Sequence, residues 1–372
     1  MAVSKRNKAI YNMIFDNFEL FFANKISNYL EHKYLRKYLT KDPIPKDFKK
    51  QYKLYWSKYF KGMQLKRGLK YAWYYASQNG IFDVRYLPND LYYTKIDQYF
   101  NQRKLGWGFN DKNYYSLIFK DIKQPTTLVR KIGDTLLDEN YNMLTIEESI
   151  AIVCNEEEVI CKPTLETGSG RNIAFFMTKK DYGKIKSILS DDNEKDFIIQ
   201  SLIRQHEKLS KIHDKSINTI RICSILLDDG VHILSSCLRM GVDNSRIDNV
   251  TAGGISVGIK QDGTLKKYAY SYYSGEKYEV HPQGIKFENY LVPSYDKACD
   301  LVMNIHPKIP HFRLVSWDIT IDTNGDPVLI EANMRKGGLN LQQFSNGPLF
   351  GDLTDMILDD VFNKKQKNNY NK

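Results

Sequence analysis

The sequence predicts an α+β protein in which a basic helical N-terminal region precedes a segment built from antiparallel strand hairpins. Three observations support this prediction. From about residue 81 onward, short apolar strands alternate with turn residues and helical stretches. Two pairs of these strands flank tight turns, as hairpins do. In residues 1–80, by contrast, apolar side chains recur at helical spacing, at Ile10, Met13, Ile14, Phe18, Phe21 and Phe22.

The basic character of the chain belongs to residues 1–80. They hold 17 Lys and Arg against 5 Asp and Glu, a balance of +12 in a chain of net charge +10, which leaves −2 for the remainder. A solvated helical face that packs its aromatic side chains on the main body explains this pattern. Contact with an anionic membrane or an acidic partner explains it too. Lys interleaved with Tyr also suits single-stranded nucleic acid, but no RNA-binding signature accompanies it, so no specific nucleic acid is expected.

Several classes of protein are disfavoured by what the 372 residues lack. There is no run of eighteen apolar residues, so no transmembrane helix is expected. The basic start leads into an acid-bearing amphipathic stretch instead of a signal-peptide core. Five cysteines without a CxxC spacing and seven histidines without ligand spacing argue against zinc and indicate a reduced, cytoplasmic protein.

The elements after residue 81 follow in a readable order. A buried strand at Val159–Pro163 runs into a loop of small and hydroxyl residues, and the next strand spans Asp196–Ile203. A hairpin then covers Thr219–Arg239 around Asp228-Asp229-Gly230. The remaining elements are a helix at about 294–303, a hairpin over 316–333, a helix near 353–362 and a polar tail at 363–372 that is predicted to be disordered.

The hairpin at 316–333 predicts a close pair of carboxylates. With a two-residue loop at Asn324-Gly325, Thr323 and Asp326 form the first cross-strand pair. Asp318 then lies opposite Glu331, and Asn333 shares their face. The other face is apolar, with Trp317 opposite Ala332, Ile319 opposite Ile330 and Ile321 opposite Val328.

Two carboxylates about 5 Å apart repel by roughly 3 kcal/mol at an effective dielectric near 20. Three arrangements relieve this repulsion: protonation of one carboxyl, an Arg or Lys between the two, or a bound cation. The oxygen set of Asp318, Glu331 and Asn333 suits Mg²⁺, which favours one or two carboxylates together with substrate phosphates. The hairpin by itself leaves the metal and the Arg-bridged pair about equally favoured.

Two further features carry positive charge toward such a site. Lys162 ends a strand before the small residues Gly168, Ser169 and Gly170, an arrangement typical of phosphate binding, although an ordinary surface loop would look the same. The sequence contains neither a P-loop nor a dinucleotide fingerprint. In the hairpin at 219–239, a two-residue loop puts Arg221 and Arg239 on opposite faces, whereas a three-residue loop with a Gly bulge puts them on one face.

The order of these features resembles the ATP-grasp superfamily over about residues 100–360, and most closely its sugar-transfer-associated branch. The residues that carry the resemblance are Asn218-Thr219-Ile220-Arg221, Leu238-Arg239-Met240-Gly241, Val242-Asp243-Asn244, Gly253-Gly254-Ile255, Ser316-Trp317-Asp318 and Glu331-Ala332-Asn333. The resemblance implies a two-lobed fold with nucleotide between two antiparallel-sheet lobes. The expected division is a helical region at 1–80, a pre-ATP-grasp segment and first lobe at 81–200, and a second lobe at 201–362.

The resemblance also implies roles for individual residues. Lys112 and Lys162 contact nucleotide phosphates beneath the Gly168–Gly170 loop, and Ser201 to Ile203, with Gln200, meet the adenine edge. Glu207 holds the ribose hydroxyls. Arg221 and Arg239 face the γ-phosphate, and Asp318, Glu331 and Asn333 bind two Mg²⁺ ions. Loops that could cover a substrate contain Asn249, Gly253, Gly254 and His281. Solvated or structural roles remain open for Lys112, Glu207, Arg221 and His281.

The chemistry that the resemblance implies is ATP-dependent ligation. A carboxylate attacks ATP to give an acyl-phosphate, and an amine or a thiol then displaces phosphate, in the context of cell-surface polysaccharide or glycoconjugate synthesis. Two alternatives stay open: a kinase that phosphorylates a hydroxyl, and a non-catalytic scaffold that binds anionic surfaces. The expected cofactors are ATP and Mg²⁺, and the partners a small carboxylate and an amine or sugar-linked acceptor. Use of ATP indicates the cytoplasm, with a peripheral position at the inner membrane face as a further possibility.

Overall fold

The computed structural model describes residues 43–59, 63–165, 172–191, 193, 196–271, 276–335 and 337–363. The chain divides into two compact units, one formed by residues 100–346 and the other by residues 1–99 with 347–372. The helical spacing at Ile10–Phe22, the Gly168–Gly170 loop and the tail after Asn363 lie outside the described residues.

The unit formed by residues 1–99 and 347–372 is helical where it is described. Its first helix, α1, begins after Pro45 and buries Phe48, Tyr52 and Trp56 at a spacing of four residues. Trp56 donates from its indole N–H to Val84 O at 2.7 Å, and Tyr55 donates to Asp355 at 2.7 Å. The helices are α1 Lys46–Trp56, α2 Met63–Asn79, α3 Asn89–Leu91, a π-helix at Tyr92–Ile96, α4 Asp97–Phe100, a 3-10 turn at Gly351–Leu353 and α12 Thr354–Phe362.

The first sheet of the 100–346 unit has five antiparallel strands in the order β2-β1-β5-β3-β4. One face packs on the helices Ile146–Val153 (α7) and Tyr182–Ser190 (α8) through a core that includes Val129, Val159 and Phe176. Thr145 caps α7 with its side chain, and Glu148 bonds back to it in a capping box. The elements are α5 Gly106–Phe109, a 3-10 turn at Lys112–Tyr114, α6 Tyr115–Ile118, β1 Thr127–Ile132, β2 Thr135–Leu137, α7 Ile146–Val153, β3 Glu158–Pro163, β4 Ala174–Met177, α8 Tyr182–Ser190 and β5 Phe197–Ser201.

The second sheet has seven antiparallel strands in the order β10-β9-β8-β7-β6-β11-β12. Its apolar face, with Trp317, Ile319 and Leu329, packs on α10 in the largest core cluster of the unit. The elements are α9 Glu207–Ile212, β6 Thr219–Leu227, β7 Gly230–Met240, a 3-10 turn at Val250–Ala252, β8 Ile255–Ile259, β9 Leu265–Ser271, β10 Lys277–Tyr278, α10 Tyr295–Ile305, a 3-10 turn at His306–Lys308, β11 Leu314–Ile321, β12 Pro327–Asn333 and α11 Leu339–Asn346. The predicted α+β class with two antiparallel sheets is confirmed.

The hairpin of β6 and β7 resolves the ambiguity that the sequence left open. Leu227 pairs with Gly230, so the loop has two residues, and near the turn the pairing continues to Ser224 opposite Ile233. The register then shifts, because Cys223 pairs with Ser235 and Leu234 forms a bulge. Arg221 therefore lies opposite Cys237 and Thr219 opposite Arg239, which puts both arginines on one face. The two-residue loop is right, but the bulge reverses its predicted consequence.

The hairpin of β11 and β12 confirms the carboxylate pair by a different route from the predicted one. Asp318 lies opposite Glu331, Trp317 opposite Ala332 and Ser316 opposite Asn333, as expected. Nearer the turn the prediction is wrong. Ile319 pairs with Leu329 and Ile321 with Pro327, where Ile330 and Val328 were expected. The turn is one residue longer, with Gly325 at φ 81°, and a bulge at Ile330 restores the register.

No helix in the described part of the chain is long and apolar enough to cross a membrane. All five cysteines carry free thiols, and Cys161, Cys223 and Cys237 are buried.

Candidate active site

The polar face of the second sheet carries a row of charged side chains across its central strands. Arg221 on β6 pairs with Asp318 on β11, and Asp318 pairs with Glu331 on β12. Arg239 on β7 stands beside this row on the same face. The bulges at Leu234 and Ile330 produce this arrangement, because without them one hairpin or the other would turn its charged residues toward the apolar core.

Asp318 lies between the two arginines. Arg221 donates to it from Nε and Nη2 at 2.7 Å each, and Arg239 donates from Nη1 at 3.1 Å. Only 4% of the Asp318 side chain is exposed. Burial acts to raise the pKa of this carboxyl, but Arg221 and Arg239 outweigh it and hold the pKa below its usual range. Asp318 is therefore ionised at neutral pH.

Asp248 is a member of this cluster that sequence reasoning missed. Its two carboxylate oxygens accept from Arg239 Nη2 at 3.0 and 2.9 Å, and one also accepts from Arg239 Nε at 3.2 Å. This fork fixes the plane of the guanidinium while Nη1 points to Asp318. The only signal in the sequence was an acidic residue in the loop after an Arg-bearing strand.

Glu331 is held by a lysine from a distant part of the chain. Lys112 Nζ donates to Glu331 Oε1 at 2.7 Å, and the Lys112 backbone N–H donates to Thr164 O at 3.0 Å, just after β3. Burial acts to raise the pKa of Glu331, whereas Lys112 lowers it, and the net pKa is below the usual range. The repulsion between Asp318 and Glu331 is thus relieved by Arg and Lys, one of the arrangements that the sequence left open.

Lys162 is the exception in this cluster. It is 9% exposed, and among the described residues it makes no ion pair. Burial, and after it the neighbouring Lys112 ammonium, lower the pKa of Lys162 to about 8, while Glu331 opposes this shift. The cluster as a whole sets four cations (Lys112, Lys162, Arg221, Arg239) against three carboxylates (Asp248, Asp318, Glu331), an excess of one positive charge. Such a cluster favours an anion.

The oxygen set can still accept Mg²⁺. Glu331 offers its Oε2, and Asn333 its Oδ1, because Asn333 donates from Nδ2 to Ser316 O at 3.1 Å and toward Asp318 at 3.5 Å. Asp318 Oδ1 accepts one hydrogen bond and keeps a lone pair. No group of three or more His, Cys, Asp or Glu in the described part of the chain could hold a metal alone. An ion that shares its ligands with phosphates fits this set.

Of the residues predicted to meet adenine and ribose, Gln200 lies on the same sheet face as Lys162, whereas Glu207 is exposed on a helix. Gln200 is buried on the face of the first sheet that carries Lys162, opposite Ile160. It donates to Thr127 Oγ1 at 3.2 Å, and its carbonyl Oε1 has no hydrogen-bond partner among the residues that the structure describes. Ser201 donates to Glu156 at 3.0 Å, and Ile203 lies in the connection to α9. Glu207 is exposed and lies 3.9 Å from Lys211, so the structure pairs it with its own helix.

The four residues predicted in substrate loops have structural roles. Asn249 caps the 3-10 turn at 250–252 by accepting from Thr251 N–H at 2.9 Å. Gly253 has φ 102°, and a Cβ on Gly254 would lie 2.5 Å from Asp248 O. His281 is buried, accepts from Gln283 N–H at Nδ1 and therefore donates from Nε2 to Gly241 O at 2.9 Å. These contacts favour the structural interpretation of His281.

The comparisons with known proteins agree with this geometry. The family model of the sugar-transfer associated ATP-grasp proteins matches residues 92–356. The chain belongs to this family. The resemblance predicted from the sequence is confirmed, and so is the ATP-grasp fold class. No curated protein matches the sequence significantly.

Solved structures similar to this ATP-grasp protein include several named as ligases. An L-amino acid ligase from Bacillus licheniformis has 13% identity and TM-score 0.38, and the match covers 68% of this chain and 47% of that one. The ATP-grasp ligase PsnB with its minimal precursor has 12% identity and TM-score 0.41, covering 70% and 63%. A D-alanine–D-alanine ligase from Bacillus anthracis has 11% identity and TM-score 0.38, covering 68% and 66%. The chain thus spans about half of the first structure and less than two thirds of the second.

Proposed function

We propose that this protein is a Mg-ATP-dependent ligase that joins a carboxylate to an amine, or to a thiol, through an acyl-phosphate. The observation that carries the proposal is the buried, net-positive cluster in which Lys162 makes no ion pair with any described residue. A buried ammonium without a partner is costly, and a phosphate group supplies the missing charge. The family name suggests a role in cell-surface polysaccharide or glycoconjugate synthesis, and ATP use suggests the cytoplasm.

The reaction brings two anions together, and the cluster supplies the opposing charge. Lys162 and Lys112 would hold the phosphates from the first sheet while Arg239 and Arg221 approach from the second. A carboxylate oxygen attacks the γ-phosphorus and ADP leaves; the amine then attacks the acyl carbon and phosphate leaves. Mg²⁺ at Glu331, Asn333 and Asp318 would polarise the phosphoryl oxygens. No side-chain nucleophile is required.

The unpartnered Oε1 of Gln200 supports adenine as the base. It is a buried acceptor on the face that carries Lys162, and half-buried Ile160 and Phe175 lie on that face too. An exocyclic amine such as adenine N6 would satisfy the oxygen while the ring covers the apolar side chains. A guanine carbonyl at the same place would leave the oxygen unpaired.

A hydroxylamine trap tests the proposed reaction. The protein is incubated with Mg-ATP, hydroxylamine and one member at a time of a panel of sugar acids, amino acids and other small carboxylates. ADP release with hydroxamate formation is expected for at least one carboxylate, because hydroxylamine intercepts acyl-phosphates. ADP release with a phosphorylated hydroxyl and no hydroxamate would identify a kinase instead. Absence of Mg-dependent ATP binding would leave the non-catalytic scaffold as the better account.

A second proposal concerns the lysines of α1. Lys46, Lys49, Lys50 and Lys53 are exposed and share one helix face by their spacing, beside Leu54, which is 72% exposed. None of the four makes an ion pair with a described residue. We propose that this face contacts anionic phospholipid at the inner membrane surface, because four lysines complement phosphate headgroups and the exposed leucine can enter the interface.

Removing these charges is expected to weaken vesicle binding. Each lysine near an anionic surface contributes about 1 kcal/mol, so changing all four to Gln should lower co-sedimentation with phosphatidylserine vesicles at least about tenfold. The matched control changes Lys179, Lys180, Lys184 and Lys186, all exposed, to Gln. Equal losses in both variants would mean that only net charge matters. Unchanged binding in the α1 variant would refute the proposal, and capture by acidic proteins but not by vesicles would identify the other partner class.

A further inference from the structure

The loop after β7 contacts both sheets of the 100–346 unit. This loop, residues 242–249, leaves the strand that bears Arg239 and ends at the 3-10 turn of Val250–Ala252. It contains Asp248, which forks onto Arg239, and Arg246, which reaches the first sheet. The loop therefore contacts an arginine of the charged cluster through Asp248, and a strand of the sheet that bears Lys162 through Arg246.

Arg246 makes two contacts with the first sheet. It forms an ion pair with Glu158 on β3, and its guanidinium carbon lies 3.8 Å from the centre of the Phe175 ring on β4. Glu158, Ile160 and Lys162 are every second residue of β3 and so lie on one face of the sheet. Phe175 pairs with Ile160 and shares that face. Arg246 thus contacts the same face of the first sheet from which Lys162 projects.

The loop is held firmly on the side of the second sheet. His213 Nδ1 accepts from Ser216 N–H at 3.2 Å, so its Nε2 donates to Asp243 O at 3.1 Å. Gly241 could not carry a Cβ without meeting the His213 ring at 2.8 Å. Asp243 has φ 53°, a conformation that few side chains adopt. Within this fixed loop, Asp248 follows Arg246 by only two residues.

We propose that Arg246 is a positioning residue that couples the first sheet to Arg239, so that Lys162 and Arg239 reach the same phosphate group together. The coupling runs from Glu158 and Phe175 through Arg246 to Asp248 and then to the Arg239 guanidinium. Arg246 touches no reacting atom in this scheme. Its meaning for catalysis rests on the proposed function, but the mechanical link does not.

The exposure of the contact suits this role. The side chains of Arg246 and Glu158 are 40% and 23% exposed, so water competes for the pair. An ion pair of this exposure is weak, so it can break and reform if the two sheets shift relative to each other. The Asp248–Arg239 pair, at 15% and 8%, is more deeply buried and belongs to the permanent part of the link.

Hydrogen exchange in the protein without nucleotide tests the mechanical link. Arg246→Ala is expected to raise deuterium uptake in 174–177, in 242–249 and also at the end of β7, residues 236–240, whereas a purely local contact would loosen only the first two segments, which contain Arg246 and its partner Phe175. The matched control is Arg313→Ala. That arginine is 32% exposed, lies 5.3 Å from the Phe100 ring and approaches Asp228 at 4.0 Å, so it makes the same kinds of contact elsewhere.

Kinetics with Mg-ATP then test the functional coupling. Arg246→Ala is expected to lower the maximal rate of ADP release about tenfold while KM for ATP changes less than about threefold, since misplacement of Arg239 affects the transition state more than binding. The paired exchange Arg246→Glu with Glu158→Arg should recover part of the rate, and each single reversal should not.

The outcomes separate the two proposals. If Arg246→Ala matches the Arg313→Ala control in both exchange and kinetics, the inference is wrong. If the wild-type protein releases no ADP, the proposed function fails, and the exchange experiment still decides the link. If Arg246→Ala loses the thermal transition, Arg246→Lys, which keeps the charge, is measured in its place with the same expectations at smaller amplitude.

Discussion

Replacing Asp318 with Asn is expected to lower kcat/KM for Mg-dependent ATP turnover at least about 100-fold, while the protein still binds phosphate. Asn keeps the shape of the side chain but cannot carry the charge that Arg221 and Arg239 surround. The excess positive charge of the cluster then rises from one to two. Inorganic phosphate or ADP without Mg²⁺ should bind at least as well as to the wild type, because the site repels anions less.

The same change should also destabilise the protein without ligand. Removing one partner from a buried ion pair leaves Arg221 uncompensated, although Arg239 keeps Asp248, at a cost of about 3–5 kcal/mol. Chemical denaturation with and without phosphate measures this, and phosphate is expected to restore part of the lost stability. Glu331→Gln, a change at the more exposed carboxylate, gives a second variant should D318N fail to fold.

Asp322→Asn is the control for this prediction. Asp322 belongs to the same hairpin and pairs with Lys123, but it lies outside the charged cluster. Its substitution should leave ATP turnover within about twofold of wild type. Retention of Mg-dependent turnover in D318N would contradict the metal assignment. Loss of phosphate binding together with turnover would contradict the view of the cluster as an anion site.

The affinity for ATP is expected to fall about tenfold between pH 7 and pH 9 because of Lys162. Its pKa in the ligand-free protein is lowered from the usual 10.5 to about 8, chiefly by burial. At pH 7 the ammonium is mostly charged and attracts phosphate. At pH 9 it is mostly neutral, so binding requires proton uptake. Each pH unit well above the pKa then weakens binding up to tenfold.

Two variants make this prediction specific. Lys162→Arg stays charged throughout and should flatten the pH profile, whereas Lys162→Ala should weaken binding on the order of 100-fold at pH 7 and also flatten it. Lys266→Ala is the control, since burial lowers the pKa of Lys266 too, but it lies by Asn346 at the end of α11. Isothermal titration at each pH in two buffers of different ionisation enthalpy counts the protons taken up. An unchanged slope in Lys162→Arg would assign the pH dependence elsewhere.

The pH dependence of the free energy of unfolding provides an independent test of the lowered pKa of Lys162. Because the pKa of Lys162 is lower in the folded than in the unfolded protein, the unfolded state binds more protons between pH 8 and 10.5. The free energy of unfolding from this group therefore rises with pH across that window. The full penalty, present below pH 8, is about 3 kcal/mol at 1.36 kcal/mol per pKa unit. Bound phosphate should cancel most of it.

The sequence predicted the carboxylate pair of the β11–β12 hairpin, but the predicted pairing nearer the turn was wrong. Asp318 opposite Glu331 is confirmed, yet the turn is one residue longer than an Asn-Gly loop would make it, and the bulge at Ile330 compensates. Bulge positions depend on how a strand twists against its neighbours, and β11 lies between β6 and β12. A pairing rule applied to one hairpin does not include the neighbouring strand β6, so it cannot predict where the bulge forms.

The residues that sequence reasoning missed or over-interpreted share a cause. Asp248 became relevant only when the loop folded back onto Arg239, and a loop of eight residues has no period to read. His281 looked available in the sequence because its backbone partner, Gly241 O, is a tertiary contact, whereas the cap that Asn249 makes to Thr251 N–H is local. Lys112 lies beside Glu331 although 219 residues of chain separate the two, and its contact with nucleotide phosphates stays a prediction.

The bulges at Leu234 and Ile330 separate the hairpin tips from the charged face. Residues between each bulge and its turn pair in a register of their own, so a length change at Asp228-Asp229 or Asn324-Gly325 need not rotate the strand beyond the bulge. A reporter peptide or a small domain can therefore be inserted at either tip while Arg239 and Glu331 keep their orientation. Deleting a bulge residue itself would instead rotate the strand and turn the charged row inward. The tips are thus natural attachment points for engineering this protein, and Leu234 and Ile330 are the positions that such work should leave intact.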